Sequence, residues 1–170
     1  REESLISVDG FRSMIDDVYK FGRITAHHSL NDLFAMAGRP TGALAFVTLP
    51  VMSPELIEED LFQLLTGVSS VLSEHQASLV GGHSAEGADL SLALTVVGEP
   101  VEASLGKSGS VVNDQFILTK PLGTGVLLAG AMRGEVNGIN LKSCLSAMDQ
   151  SNAAAAKIFE RPFEGKFNLT

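Results

Sequence analysis

The sequence predicts an α+β fold, a mixed β-sheet with helices packed on one face, and three observations lead there. Short β-prone runs alternate with segments whose apolar residues recur at helical spacing, in the order β-loop-α-β-α-β-β. Several strands are apolar enough for burial on both sides, so a second domain or a second copy of the chain is expected against the open face. The 170 residues are 45% hydrophobic and 19% charged with 17 glycines, the composition of one ordinary globular domain that needs no metal or disulfide staple to form a core.

Taken in order, Leu5 to Val8 reads as a short strand ending at Asp9-Gly10, with a loop to Lys20. From Gly22 to Ala37, Ala26, Leu30, Leu33, Phe34 and Ala37 repeat with a helical period, and Gly38 and Pro40 then stop the helix. Thr41 to Leu49, bounded by prolines, is a buried strand; Ser53-Pro54 supplies an N-cap and a first-turn proline for a second helix. Glu55, Glu58, Glu59 and Asp60 crowd its positive end, opposite a core stripe of Ile57, Leu61, Leu64, Val68, Val71 and Leu72. Ala77 to Val80 and Leu90 to Gly98 read as strands flanking a turn, Gly81 to Gly87. Gln115 to Thr119 is a further strand, Lys120 to Gly125 a glycine-rich bend, and Val126 to Met132 and Leu141 to Phe159 are helices.

Composition also excludes function classes. A formal charge of −8, from 20 acidic against 12 basic residues, repels nucleic-acid phosphates. The longest apolar stretches, Gly42 to Met52 and Leu122 to Met132, are about half the ~20 residues a bilayer span needs, and no signal pattern opens the chain. Cys144 has no intrachain partner, so a disulfide framework is excluded and a reducing, cytoplasmic setting is expected. The opening Arg-Glu-Glu-Ser, without Met and close to a strand, predicts a piece of a longer protein.

Chemistry concentrates in a few places. Asp9 closes the first strand, and Asp32, read as mid-helix, shares a helical face with His28 four residues before it. Two such carboxylates suffice for Mg²⁺ once substrate phosphates supply the remaining oxygens, although an Asx turn and a solvated helix residue also explain them. Gly81-Gly82-His83-Ser84 allows close backbone approach, and its amides, imidazole and hydroxyl suit phosphate oxygens; a tight turn is the structural alternative. Lys120 precedes its glycines, so that bend is not a Walker A loop. His27, His28, His75 and His83 lack zinc-ligand spacing, and Cys144 reads as a core residue.

Ser7-Val8-Asp9-Gly10-Phe11, Ile15-Asp16-Asp17, Phe21-Gly22-Arg23-Ile24, Asn31-Asp32-Leu33-Phe34-Ala35-Met36, Gly81-Gly82-His83-Ser84 and Leu118 to Gly125 occur in that order. Together they resemble the selenophosphate synthetase (selenide, water dikinase) family, whose N-terminal nucleotide-binding domain the likeness covers from residue 5 to about 157, with 160–170 a divergent tail and 1–170 a single domain. Glu59 to Leu65 and Gly81 to Gly87 look like the branch fused to a flavin-dependent, NADH-dehydrogenase-like module. The resemblance implies the aminoimidazole ribonucleotide synthetase superfamily fold, in which the sheets of two subunits pair into a barrel, and hence a homodimer. It implies ATP and selenide as substrates, with Asp9 on the nucleotide, Asp32 on Mg²⁺, and Gly82, His83 and Ser84 reaching the nucleotide of the partner subunit. The family's reactive cysteine or selenocysteine and its lysine would lie upstream of Arg1, so no catalytic nucleophile is assigned within the chain. His27 and Asn31 depart from the family pattern and are expected beside Asp32. The alternatives are a non-catalytic dimerisation or nucleotide-sensing module, or a superfamily relative with another substrate, such as thiamine-phosphate kinase or the hydrogenase-maturation dehydratase. Against those relatives, His83 stands where they usually carry Asp.

Overall fold

Alternation along Leu5–Arg12 builds β1, with Leu5, Ser7, Asp9 and Phe11 turned inward and Ile6 and Val8 left exposed, in a computed structural model that describes residues 3–101, 105–106 and 108–159. The tail 160–170 lies outside the described residues. The strand runs past Asp9-Gly10, where sequence pattern ends it, because it pairs antiparallel with β4 (Ser91–Pro100) all the way from Leu5↔Gly98 to Arg12↔Ser91. Asp17 then caps α1 (Val18–Ala35), accepting the Lys20 amide at 2.8 Å and starting the helix four residues before Gly22. Ala37, at φ 55°, turns the chain into β2 (Gly38–Leu49).

β2 is central, antiparallel to β4 on one side and parallel to β3 (Ser78–Glu86) on the other, with α2 (Pro54–Glu74) as the crossover, so the sheet order is β1-β4-β2-β3. This corrects the expected turn at 81–87: Gly81 to Glu86 continue β3, paired with Leu44 to Leu49. A Cβ at Gly82 would overlap the Ala45 carbonyl, so the glycine serves close strand approach rather than a turn.

α1 and α2 cover one face of the sheet. Phe21, Ala26, Leu30 and Leu33 of α1 and Leu64, Val68, Val71 and Leu72 of α2 are fully buried against Ala43, Val47, Leu92, Leu94 and Val96. The helices touch backbone to backbone, since a Cβ on Gly22 would overlap the Leu64 carbonyl and one on Gly67 the Tyr19 carbonyl. The other face carries exposed Ile6, Val8, Leu44 and Phe46. Leu92, Leu94 and Val96, which alternate along β4, point into the helices, because Leu94 lies opposite Asp9 and Ala45 on the inner side of both neighbours.

After Pro100 the pattern changes. Gln115 to Thr119, expected as a strand, forms no strand and joins no ladder among the described residues. Gly123 at φ 107° leads into α3 (Thr124–Met132). The single helix expected over 141–159 is two, α4 (Gly138–Met148) and α5 (Ala153–Phe159), parted by a turn in which the Ser151 hydroxyl accepts the Ala153 amide at 3.1 Å.

Candidate functional site

Period-two alternation in β1 aims Ser7 and Asp9 at α1, and the helical repeat aims His28 and Asp32 back at them. The Ser7 hydroxyl donates to an Asp32 carboxylate oxygen at 2.5 Å, and the His28 Nε2 lies 3.3 Å from an Asp9 carboxylate oxygen. The His28 ring is also set edge-on to Phe11, centroids 4.8 Å apart. Two carboxylates thus share one rim between β1 and α1, each steadied by one neighbour and half open to solvent. Asp32 occupies the last turn of α1 rather than its middle. A carboxylate there faces the negative end of the helix macrodipole, an arrangement that costs roughly 0.3–1 kcal/mol and that folding alone does not favour.

The departures at positions 27 and 31 resolve differently from expectation. His27 points away from Asp32 into a part-buried hub: Arg23 donates to Asp149 at 2.8 Å, to Ser70 at 2.8 Å and to Glu74 at 3.0 Å, with His27 Nε2 3.5 Å from Asp149. Its imidazole is 2% exposed, and burial lowers its pKa from 6.5 to about 4, with Asp149 and Glu74 opposing. Asn31 instead accepts the Asn152 amide at 3.2 Å, tying α1 to the turn after α4. Behind His28 and Asn31 opens a cleft of about 190 Å³ that also receives Lys120, whose ammonium donates to the Gln150 carbonyl at 2.7 Å and whose pKa burial lowers.

Gly82, His83 and Ser84 lie elsewhere. β3 is the edge opposite β1, with two strands between them, about three spacings of ~4.8 Å or roughly 14 Å. His83 stacks on Phe46 on the open face at 5.8 Å, while Ser84 pairs with Val47 above a cleft of about 420 Å³ against Leu61 and Leu65 of α2. Within one chain the two groups do not meet. Cys144 is buried against the Thr124 carbonyl and Met148, and burial raises its thiol pKa, which keeps it protonated and unreactive. Ser7 and the Asp9–His28 pair went unnoticed in the sequence, although the strand and helix periods that align them were both legible.

Residues 1–99 match the model of the AIR synthase related protein N-terminal domain. The chain is 35% identical over 150 residues to selenide, water dikinase of Bdellovibrio bacteriovorus, covering 87% of this chain and 42% of that protein. It is 42% identical over 123 residues to selenide, water dikinase of Nitratidesulfovibrio vulgaris, covering 71% and 34%. It therefore spans less than half the length of these curated relatives. In fold it is similar to the crystal structure of thiamine monophosphate kinase from Aquifex aeolicus, with a TM-score of 0.76 at 18% identity, covering 93% of this chain and 56% of that one.

Proposed function

We propose that this chain, which belongs to the AIR synthase related family through its N-terminal domain, is the ATP-binding part of a cytoplasmic selenophosphate synthetase. The reaction transfers a phosphate from ATP to selenide, giving selenophosphate, AMP and inorganic phosphate, with water taken up in the process. The observation that carries this reading is the β1–α1 rim, where Ser7 holds Asp32 and His28 holds Asp9 in a chain 35–42% identical to selenide, water dikinases.

The rim fits Mg²⁺. Its donors are hard carboxylate oxygens, and among the described residues no three His, Cys, Asp or Glu side chains converge, so phosphate oxygens and water would have to supply the remaining ligands, as Mg²⁺ prefers. When bound, Mg²⁺ would neutralise charge on the transferring phosphate. The chain's own residues prepare for it: Ser7 holds the Asp32 carboxylate, His28 holds that of Asp9, and the apolar core beneath α1 keeps both in place. The dipole cost of Asp32 at the helix end is the kind of local conflict that functional sites retain.

The opposite-edge placement of Gly82, His83 and Ser84 supports a homodimer. Pairing two open faces into a barrel would cover Ile6, Val8, Leu44 and Phe46 and carry these three residues to the nucleotide of the partner subunit. Light scattering on the chain at micromolar concentration is expected to give a dimeric mass, and a monomer would count against the pairing. The likeness of 59–65 and 81–87 to the flavoprotein-fused branch supports such a module as a partner, testable by the flavin content of the full-length protein.

Asp32→Asn in the full-length protein tests the site. The variant keeps shape and a hydrogen-bond acceptor for Ser7 while removing the charge. Its melting temperature without ligand is expected to stay within about 1–2 °C of the parent, on the scale of a surface change, while the Mg-ATP stabilisation, about 2.7 kcal/mol at a hundredfold excess over Kd, disappears. Early unfolding with the Mg-ATP shift retained would make Asp32 a structural residue. The 170-residue chain alone is expected to form no selenide-dependent AMP, because the family's nucleophile and lysine lie outside it.

A further inference from the structure

Among the described residues three enclosed side-chain polar atoms have no hydrogen-bond partner: the Thr25 hydroxyl, His27 Nδ1 and His75 Nε2. The last two belong to neighbouring rings on different helices. His27 of α1 and His75, which caps the C-terminus of α2, stand edge to face with centroids 6.4 Å apart and planes at 80°. Phe34, two turns beyond His27 on the same face of α1, also sets its ring against His75, centroids 5.0 Å apart, and so helps fix the His75 ring. The His27 side chain is 2% exposed, and its Nε2 is already turned to Arg23 and Asp149, 3.5 Å from each. Nδ1 lies across the ring from that hub and is left unserved. Folded proteins rarely keep such atoms unpaired, and the common remedy is an ordered water.

We propose that one ordered water is bound between His27 Nδ1 and His75 Nε2, joining α1 to the end of α2. Ring separation selects it among the ways of pairing two imidazoles. A direct hydrogen bond of ~3.0 Å between ring nitrogens would bring the centroids to ~5.3 Å or less. Two imidazoles on a tetrahedral zinc ion, each nitrogen ~2.1 Å from the metal, would also stand about 5.3 Å apart. A water ~2.9 Å from each nitrogen, with a near-tetrahedral angle at its oxygen, spans about 6.5 Å, against the observed 6.4 Å. Charge agrees with distance. Burial holds His27 neutral down to about 4 and lowers the His75 pKa as well, so near neutral pH each ring carries one N–H and one lone pair. Water donates to the lone pair and accepts from the N–H, so it serves either tautomer, whereas a cation takes lone pairs only. The Arg23 hub thereby extends from the turn after α4, through Asp149, His27 and the water, to the end of α2.

The test is a crystal structure of the full-length protein at neutral pH, at a resolution that shows ordered water. One density peak is expected within ~2.7–3.2 Å of both nitrogens. His75→Phe keeps a ring and removes the nitrogen, and is expected to lose the peak. His75→Gln brings an amide within reach of the same place, and is expected to keep it. In solution, histidine-labelled protein is expected to show a cross-peak from a long-lived water to the His27 Hε1 proton in the parent and in His75→Gln, and none in His75→Phe. Where a substitution prevents folding, the parent's density and cross-peak decide by themselves. An empty gap, ring nitrogens bonded directly to each other, a protein side chain in the water's place, a peak that a metal chelator removes, or one that survives His75→Phe would each overturn the proposal. None of these readouts involves Mg-ATP or selenide, so the outcome is independent of the selenophosphate reading.

Discussion

The region from Leu5 to Pro100 and the region from Gln115 to Phe159 use similar apolar sequence in different ways. In the first, Leu64, Leu72, Leu92, Leu94 and Val96 are fully buried between two helices and a sheet. In the second, helices form with almost no burial, held by local devices: Asn137 caps α4 by accepting the Asn140 amide at 2.9 Å, and Ser151 starts α5. What fastens the second region to the first is largely polar, where Arg23 holds Asp149 and Asn31 holds Asn152, with Ala156 of α5 reaching the core beneath α1. Caps decide where a helix begins; only a partner surface decides whether its apolar side is worth having. The difference places the stability of the described structure in the first region.

Mutations that remove apolar volume should expose this contrast most strongly. Leu94→Ala, at a fully buried position, is expected to cost about 4 kcal/mol, and Leu122→Ala, 80% exposed, less than about 0.5 kcal/mol, both read from urea midpoints. A cost above ~2 kcal/mol at Leu122 in the 170-residue chain would mean that the second region carries a core of its own.

Acid should act at the junction between the regions. His27 titrates near 6.5 when unfolded and near 4 when folded. The unfolded chain therefore takes up the proton first, and the stability held in the neutral imidazole is fully present above about 6.5 and lost as pH falls toward 4. The loss should be on the order of 3 kcal/mol for a shift of this size. His27→Asn is expected to flatten the pH dependence of the urea midpoint across that window; an unchanged slope would assign the acid sensitivity to other groups.

Glycines separate the regions more finely. Gly67→Ala drives a Cβ into the Tyr19 carbonyl, a backbone group that cannot rotate away, and is expected to cost about 2 kcal/mol. Gly130→Ala meets only a methyl of Val136, at 2.7 Å, and gains helix propensity of roughly 1 kcal/mol, so thermal melting should register almost no change. The smallest effect belongs to Arg12→Ala: its pair with Asp89, at 2.6 Å, is 76% and 52% exposed and contributes about 0.5 kcal/mol or less, with added salt removing even that.

The amino-acid sequence by itself determined the α+β class and the two long helices, with the Ser53 cap and core stripe of the second, because period and capping are local properties. Tertiary structure alone decided the phase of β4, since alternation reports two faces without saying which one the helices cover. It turned Gly81 to Glu86 from an expected turn into an edge strand, because parallel pairing with β2 and the tight approach at Ala45 outweigh glycine's local preference for turns. It sent His27 into the Arg23 hub while its neighbour His28 went to Asp9, a choice set by which helix face the sheet occupies. It also left Gln115 to Thr119 without a ladder among the described residues, because a strand is defined by hydrogen bonds to a neighbour and its own residues cannot supply one.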